Sequence, residues 1–213
     1  MARQSEGERR KKEFYYKAAK KAGYRSRSAY KIKQIAKKHG ILHGIDIVLE
    51  LCSAPGGWTQ VLRELNASLQ IVAIDLDEMP PVQGVHFIQG SILDDEIIAK
   101  AMSLTRGSFD LVVSDCSPKV SGHWNLDVIR QLELASRTFE IGQRVLGPNG
   151  KALAKVFQGQ GFQEFIAQIR SMFRTVKLIK PDASRKTSAE IYLLATGPVR
   201  KITGEKSLRK STN

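Results

Sequence analysis

The sequence predicts an α/β fold: an open, seven-stranded, mostly parallel sheet with one antiparallel strand and helices on both faces. Three observations carry it. From residue 45 onward, short apolar runs alternate with longer amphipathic ones at the spacing of βαβ units. The first run ends in an acidic residue and a loop of small residues, VLELCSAPGGW at 48–58, which opens the next helical stretch. The last two strand-like runs have no helix between them, so they pair antiparallel and put a reversed strand near an edge. Together these give a Rossmann-like layout.

Taken in order, residues 1–12 are densely charged and read as disordered. Residues 13–22 and 26–39 read as helices separated near Gly23. The second carries Tyr30, Ile32, Ile35 and Ala36 at apolar positions and ends at Gly40. Strands are expected at Ile45–Leu51, Gln70–Ile74 (ending at Asp75), Val85–Gln89, Phe109–Ser114 (ending at Asp115), Lys151–Phe157, Thr175–Ile179 and Glu190–Thr196. Helices are expected around Thr59–Leu65, at Asp94–Leu104, over the long stretch Asp127–Leu146, and at Gly161–Met172. Pro148-Asn149-Gly150 reads as a turn.

The chain has 213 residues, enough for one domain with a real core. Its charge is unevenly placed. Residues 1–38 hold 14 Lys and Arg against 3 Glu, residues 198–213 hold 5 against 1, and the rest has a net charge of −2. The division that follows is a basic N-terminal extension over 1–40, a catalytic domain over 41–197, and a basic, flexible tail over 198–213. A cationic arm beside a near-neutral core suits a polyanion, although a solubilising tail is the plainer reading. Aromatics interleaved with the arm's charges favour RNA over an anionic membrane surface. Arg25, Arg27, Lys33, Lys37 and Lys38 are the candidate RNA contacts. No apolar run approaches a membrane span, and the N-terminus has no signal-like apolar region, so a cytoplasmic protein is expected. Cys52 and Cys116 cannot alone make a disulfide framework or a zinc site, and read as small packing residues rather than nucleophiles. The four histidines show no ligand spacing, so no metal is expected.

The chemistry concentrates at strand ends. In open α/β sheets ligands sit beyond the carboxyl ends of the strands. The glycine turn there is neither GxGxxG nor a P-loop, which argues against a dinucleotide oxidoreductase or a nucleotide triphosphate. With Glu50 behind it, the turn suits a cationic cofactor, and S-adenosylmethionine carries a sulfonium and an ammonium. Asp75 lies about 20 residues further on, where a carboxylate can hold ribose hydroxyls, or merely cap a turn. Asp115 ends a strand and faces the same crevice, unless it serves an Asx-turn. Lys155 interrupts the apolar strand ALAKVF and needs a partner if buried. Glu190 opens the last strand and could pair with it. Lys31 lies on the apolar side of its helix.

These residues fall in motifs: RSRSAYK at 25–31, LCSAPGGW at 51–58, SDCSPKVSG at 114–122, KVFQGQGF at 155–162 and EIYLLATG at 190–197. On them the chain closely resembles the FtsJ-type ribose 2′-O-methyltransferases, also called the RrmJ or RlmE family. The resemblance implies the class I methyltransferase variant of the Rossmann sheet. It implies a Lys-Asp-Lys-Glu catalytic tetrad, falling here on Lys31, Asp115, Lys155 and Glu190. It also implies cofactor contacts at Gly56, Trp58, Asp75 and Asp115, plus an acidic residue after the third strand. That last position is Ser91, with Asp94 or Asp95 as substitutes, and the family's first-strand Asp is Glu50.

The implied reaction is methyl transfer to a ribose 2′-oxygen, of a uridine in 23S or other large-subunit ribosomal RNA. A tRNA anticodon-loop enzyme and a non-catalytic ribosome assembly factor are the alternatives. Lys155 is the candidate base. Lys31 favours its free amine while Asp115 and Glu190 favour the ammonium, so the sequence leaves open whether it takes a proton or only orients the hydroxyl.

Overall fold

The computed structural model describes residues 6–185 and 187–200. The chain runs α1 (Glu6–Lys21), α2 (Ala29–His39), β1 (Ile47–Leu51), α3 (Gly57–Leu65), β2 (Gln70–Asp75), β3 (Val85–Gln89), α4 (Asp95–Ser103), β4 (Phe109–Ser114), α5 (Trp124–Val145), β5 (Leu146–Phe157), α6 (Phe162–Met172), β6 (Phe173–Ile179) and β7 (Glu190–Pro198). The seven strands form one sheet in the order β3-β2-β1-β4-β5-β7-β6. The pairs among β1 to β5 are parallel, and β7 runs antiparallel to both β5 and β6. Strand order reverses between β1 and β4, which opens a crevice at their carboxyl ends.

The strands are apolar on both faces, as parallel strands sandwiched by helices must be. Alternate residues serve two cores. Leu49, Leu51 and Val112 pack with α4, α5 and α6, while Val48, Leu111 and Val113 pack with α2 and α3.

Four expectations change. Helix α1 begins at Glu6, well inside the segment read as disordered, and residues 1–5 lie outside the described residues. The basic extension is not separate from the core. Ala29, Ile32, Ile35 and Ala36 form a buried stripe on α2, in the same cluster as Val48, Val61, Leu62 and Tyr192. On that helix the exposed charges are Lys37 and Lys38, while Lys31 and Lys33 are paired within the protein. Pro148-Asn149-Gly150 lies within β5. The pairing jumps from Phe109↔Leu146 to Leu111↔Lys151, so the turn signal marks a bulge. Helix α5 starts three residues early, because Asp127 reaches back to the preceding loop instead of capping the helix. It accepts hydrogen bonds from Ser121 N and Oγ, both at 2.8 Å. Most of the predicted tail, residues 201–213, lies outside the described residues.

No helix among the described residues is long and apolar enough to cross a membrane.

Because α2 is a core element, Ile32→Ala should destabilise the whole domain by about 2–5 kcal/mol, the usual range for emptying a fully buried site. Urea unfolding followed by circular dichroism measures this. A change confined to RNA affinity would mean that α2 is a detachable extension after all.

Candidate active site

The crevice begins where β1 stops. Cys52 turns the chain at a φ of 57°, and Gly56 follows at a φ of 100° as the N-cap of α3. Both glycines of the turn are sterically required. A Cβ on Gly56 would sit 2.7 Å from Arg25 Nη1, and one on Gly57 would sit 2.1 Å from Ser26 Oγ. The extension is thus packed directly onto the turn.

Arg25 explains the closeness. Its guanidinium donates to the carbonyls of Pro55 (3.3 Å), Pro80 (2.6 Å) and Pro81 (3.0 Å), tying the turn to the β2–β3 loop. Its backbone N–H donates to Gln60 Oε1 at 2.8 Å. The expected RNA contact is therefore a clamp, because a planar five-donor fork satisfies several carbonyls at once. Lys33 is also engaged inside the protein. It pairs with Glu64 at 2.7 Å and donates to Tyr24 Oη at 2.7 Å, while the Tyr24 hydroxyl bonds to the same carboxylate. Those bonds hold Glu64 below the usual carboxylate range and raise Lys33. Arg27 stays half-buried at the rim of a second cleft, and Lys37 and Lys38 are exposed.

Asp75 Oδ2 accepts Ala54 N at 2.8 Å and Oδ1 accepts Asp77 N at 2.9 Å. Its carboxylate shapes the turn, with lone pairs to spare. Ser91 Oγ accepts Leu93 N at 3.2 Å. Both proposed substitutes already have partners within the protein. Asp94 caps α4 through Glu96 N at 2.8 Å, and Asp95 pairs with Arg137 and Arg144, both at 2.6 Å. Trp58 is buried, donates its indole N–H to Ser28 O at 3.0 Å and packs against Tyr192 at 5.7 Å between centroids. It forms a wall of the crevice, which Ser26, Ser28, Glu50, Ala54 and Asp115 also line.

The cysteines are paired. Cys52 and Cys116 form a disulfide between the loops that leave β1 and β4. Sixty-four residues apart in sequence, they give no local signal of pairing, but the parallel register of β1 and β4 brings their positions together.

All four tetrad residues converge. Lys155 is buried. Its Nζ donates to the Asp115 carbonyl at 2.8 Å and lies 3.4 Å from Asp115 Oδ1. Lys31 Nζ lies 2.6 Å from one oxygen of Glu190 and 2.8 Å from the other. Ser184 Oγ donates to the same Glu190 carboxylate at 2.8 Å. Tyr192 joins the two pairs. Its hydroxyl donates to Asp115 Oδ1 at 2.6 Å, and Lys31 Nζ stands 5.9 Å from its ring centroid. Burial pushes Asp115 up, but Lys155, Lys31 and the Tyr192 hydroxyl outweigh it and hold the carboxyl below its usual range. Burial raises Tyr192 well above its ordinary value, with Asp115 adding to it, so the phenol stays a donor.

Glu50 is the opposite case. Burial drives its pKa up to about 8; Asp115 and Asp75 add to this, and the 2.7 Å bond from Thr59 Oγ1 offsets only part of it. Two carboxyl groups, Glu50 and Asp115, thus line the crevice, and Asp75 stands close enough to raise Glu50 further. That donor set fits a ligand carrying positive charge, as a sulfonium cofactor does. Among the described residues no cluster of three His, Cys, Asp or Glu could hold a metal ion.

Sequence reading missed Tyr192 and Gln131. Tyr192 lies two residues after Glu190 on the same strand, so it shares its face. Gln131 is fully buried on α5, and its Nε2 donates to the carbonyls of Lys155 (2.8 Å) and Cys116 (3.2 Å), fixing the strand that carries the amine. A polar residue on the apolar stripe of α5 was the available signal.

A model of the FtsJ-like methyltransferase family matches residues 24–198. Ribosomal RNA large subunit methyltransferase E of Archaeoglobus fulgidus is 42% identical over 184 residues, covering 86% of this chain and 95% of that one. The protein of the same name from Methanothrix thermoacetophila is 41% identical over 196 residues, covering 90% and 76%. A solved Plasmodium falciparum structure assigned as a ribosomal RNA methyltransferase superposes with a TM-score of 0.75 at 26% identity, covering 84% of this chain and all of that one.

The raised Glu50 carboxyl has a consequence for stability. The folded state holds its proton up to about pH 8, whereas the unfolded chain releases it near 4.5. Stability from this group is fully present below the unfolded value and is lost as pH rises towards 8. Urea melts of the ligand-free protein between pH 5 and 9 should show that decline, and Glu50→Gln should flatten it by a few kcal/mol. An unchanged slope in the variant would place the titration elsewhere.

Proposed function

We infer, from a chain that belongs to the FtsJ-like methyltransferase family and an S-adenosylmethionine-dependent enzyme, that it methylates the 2′-oxygen of a ribose in large-subunit ribosomal RNA. The observation that carries this reading is the convergence of Lys31, Asp115, Lys155 and Glu190 beside an acidic crevice. A ribose hydroxyl is a weak nucleophile, and a buried amine next to the cofactor crevice is what its activation requires. The names of the relatives support ribosomal RNA over tRNA. A uridine as the target nucleoside rests on the family resemblance alone. A protein that works on RNA of the large subunit belongs with ribosomes in the cytoplasm, which is where we place it.

Bound cofactor supplies an activated methyl group on a positively charged sulfur. Glu50, Asp75 and Asp115, together with the backbone of the Ser53–Gly57 turn, are the residues that would hold it. Trp58 and the arm residues Ser26 and Ser28 close the crevice on the other side and limit water. Asp115 is held in place by Lys155 and Tyr192, so it enters the reaction ionised and oriented. Lys155 would take the hydroxyl proton as the ribose oxygen accepts the methyl group, which requires its amine to start uncharged. Lys31 and Glu190 neutralise one another at the mouth of the site. Between them and Phe157, Ser184 and Arg185 lies a cleft of about 320 Å³ in which a nucleoside would sit.

With labelled S-adenosylmethionine and purified large subunits lacking the modification, the protein should transfer label to ribose, and deproteinised tRNA should be a poor acceptor. Lys155→Arg keeps the charge but cannot take a proton, so kcat should fall by about 10²- to 10⁴-fold. Near-normal activity in that variant would exclude Lys155 as base.

Phosphate contacts should come from Arg27, Lys37 and Lys38, which are free to reach a polyanion, more than from Arg25 and Lys33. Replacing Lys37 and Lys38 by Gln should weaken RNA binding and lower the slope of log Kd against log salt by about 1 to 2. An identical slope in that variant would exclude these lysines from the RNA surface.

A further inference from the structure

Beside the tetrad stands an aromatic pair that the methyl-transfer step does not use. Trp124, the first residue of α5, is 50% exposed. Its indole stacks on Phe157, with centroids 5.8 Å apart and planes inclined by 20°. Phe157 follows Lys155 by two residues at the end of β5, where it packs against the α5 side of the sheet, and it lies directly across from Glu190 in the β5–β7 ladder. It lines the same cleft as Lys31 and Glu190.

A tryptophan that serves packing alone is usually well covered. This one has one face on Phe157 and half its surface in solvent, and Val120 nearby in sequence is 75% exposed. The segment that presents them is fixed. Ser121 N and Oγ both donate to Asp127 Oδ1, and His123 N donates to Ser121 Oγ at 3.2 Å. The surrounding charge is positive: Arg27 and Arg185 line the cleft beside the neutral Lys31–Glu190 pair, and Lys119 is exposed on the same loop.

We propose that Trp124, backed by Phe157, is a stacking platform for an unpaired base of the substrate RNA, next to the nucleotide whose ribose is methylated. This rests on the RNA-methyltransferase reading and adds to it a residue that selects single-stranded substrate. An exposed aromatic face flanked by cations is the arrangement that holds a base without reading its edges. A base stacked on Trp124 has left its own helical stack, which an unpaired nucleotide can do and a paired one cannot.

The test uses the full-length protein, an RNA oligonucleotide spanning the position that the protein labels in large-subunit RNA, and three variants. Trp124→Ala and Trp124→Leu should raise the Kd and KM for RNA by about 5- to 100-fold, with the affinity for S-adenosylmethionine unchanged. Trp124→Phe should stay within about threefold of wild type, since it keeps an aromatic face. RNA should also quench tryptophan fluorescence in the wild type but not in Trp124→Phe, where the buried Trp58 is the one indole left. Leucine performing as well as phenylalanine would overturn the platform, because apolar cover alone would then suffice. A wild type that transfers methyl groups to RNA while Trp124→Ala binds RNA equally well overturns the platform and leaves the methyltransferase reading standing. A wild type that methylates no RNA overturns both.

Discussion

The site depends on keeping a buried lysine amine and a largely buried carboxylate at the same sheet edge. Lys155 and Asp115 have side chains only 7% and 18% exposed, and either one left alone there would be strongly unfavourable. Everything around them answers that constraint. Tyr192 gives Asp115 a hydroxyl, the Asp115 carbonyl accepts from the amine, and Gln131 pins the carbonyl of the lysine itself. The Lys31–Glu190 pair sits beside them as a second neutral unit. The adjoining crevice has no such compensation. Glu50 solves its burial by staying protonated in the free protein, which leaves room for a positive ligand to change its state.

Much of the fold was legible because parallel sheets write themselves as separate apolar runs with helices between. The reversed β7 followed from the missing helix before it. Boundaries failed where a local signal served a tertiary purpose: Pro148-Asn149-Gly150 signalled a turn and is a bulge, and Asp127 signalled a helix start but anchors the preceding loop. The chemistry-bearing residues were legible for a different reason. A lysine within ALAKVF and carboxylates at strand ends are costly exceptions to local pattern, and such exceptions mark function. Tyr192 and the disulfide were not legible, because a tyrosine in a strand and two distant cysteines violate nothing.

Charge alone misled the reading of the N-terminal region. Net charge reports which partner a surface suits, but not which of its side chains is free to meet that partner. Arg25 and Lys33 carry the same charge as Lys37 and Lys38, yet the first two are consumed by carbonyls, a carboxylate and a phenol. Of the five expected contacts, those that remain are Arg27, just ahead of α2, and Lys37 and Lys38 on its exposed side.

The Arg25 clamp also bears on how such a protein can diverge. Its acceptors are main-chain carbonyls, so the residues at 80 and 81 can drift with little loss provided the path of the chain is kept. The arginine itself has no equivalent, since a lysine offers a single ammonium and cannot span three acceptors on two loops. The segment before the sheet is therefore inherited together with the cofactor crevice. It cannot be exchanged as a cassette, and a chimera joining a foreign N-terminus to this sheet would have to reproduce that one guanidinium before it could acquire a new RNA preference.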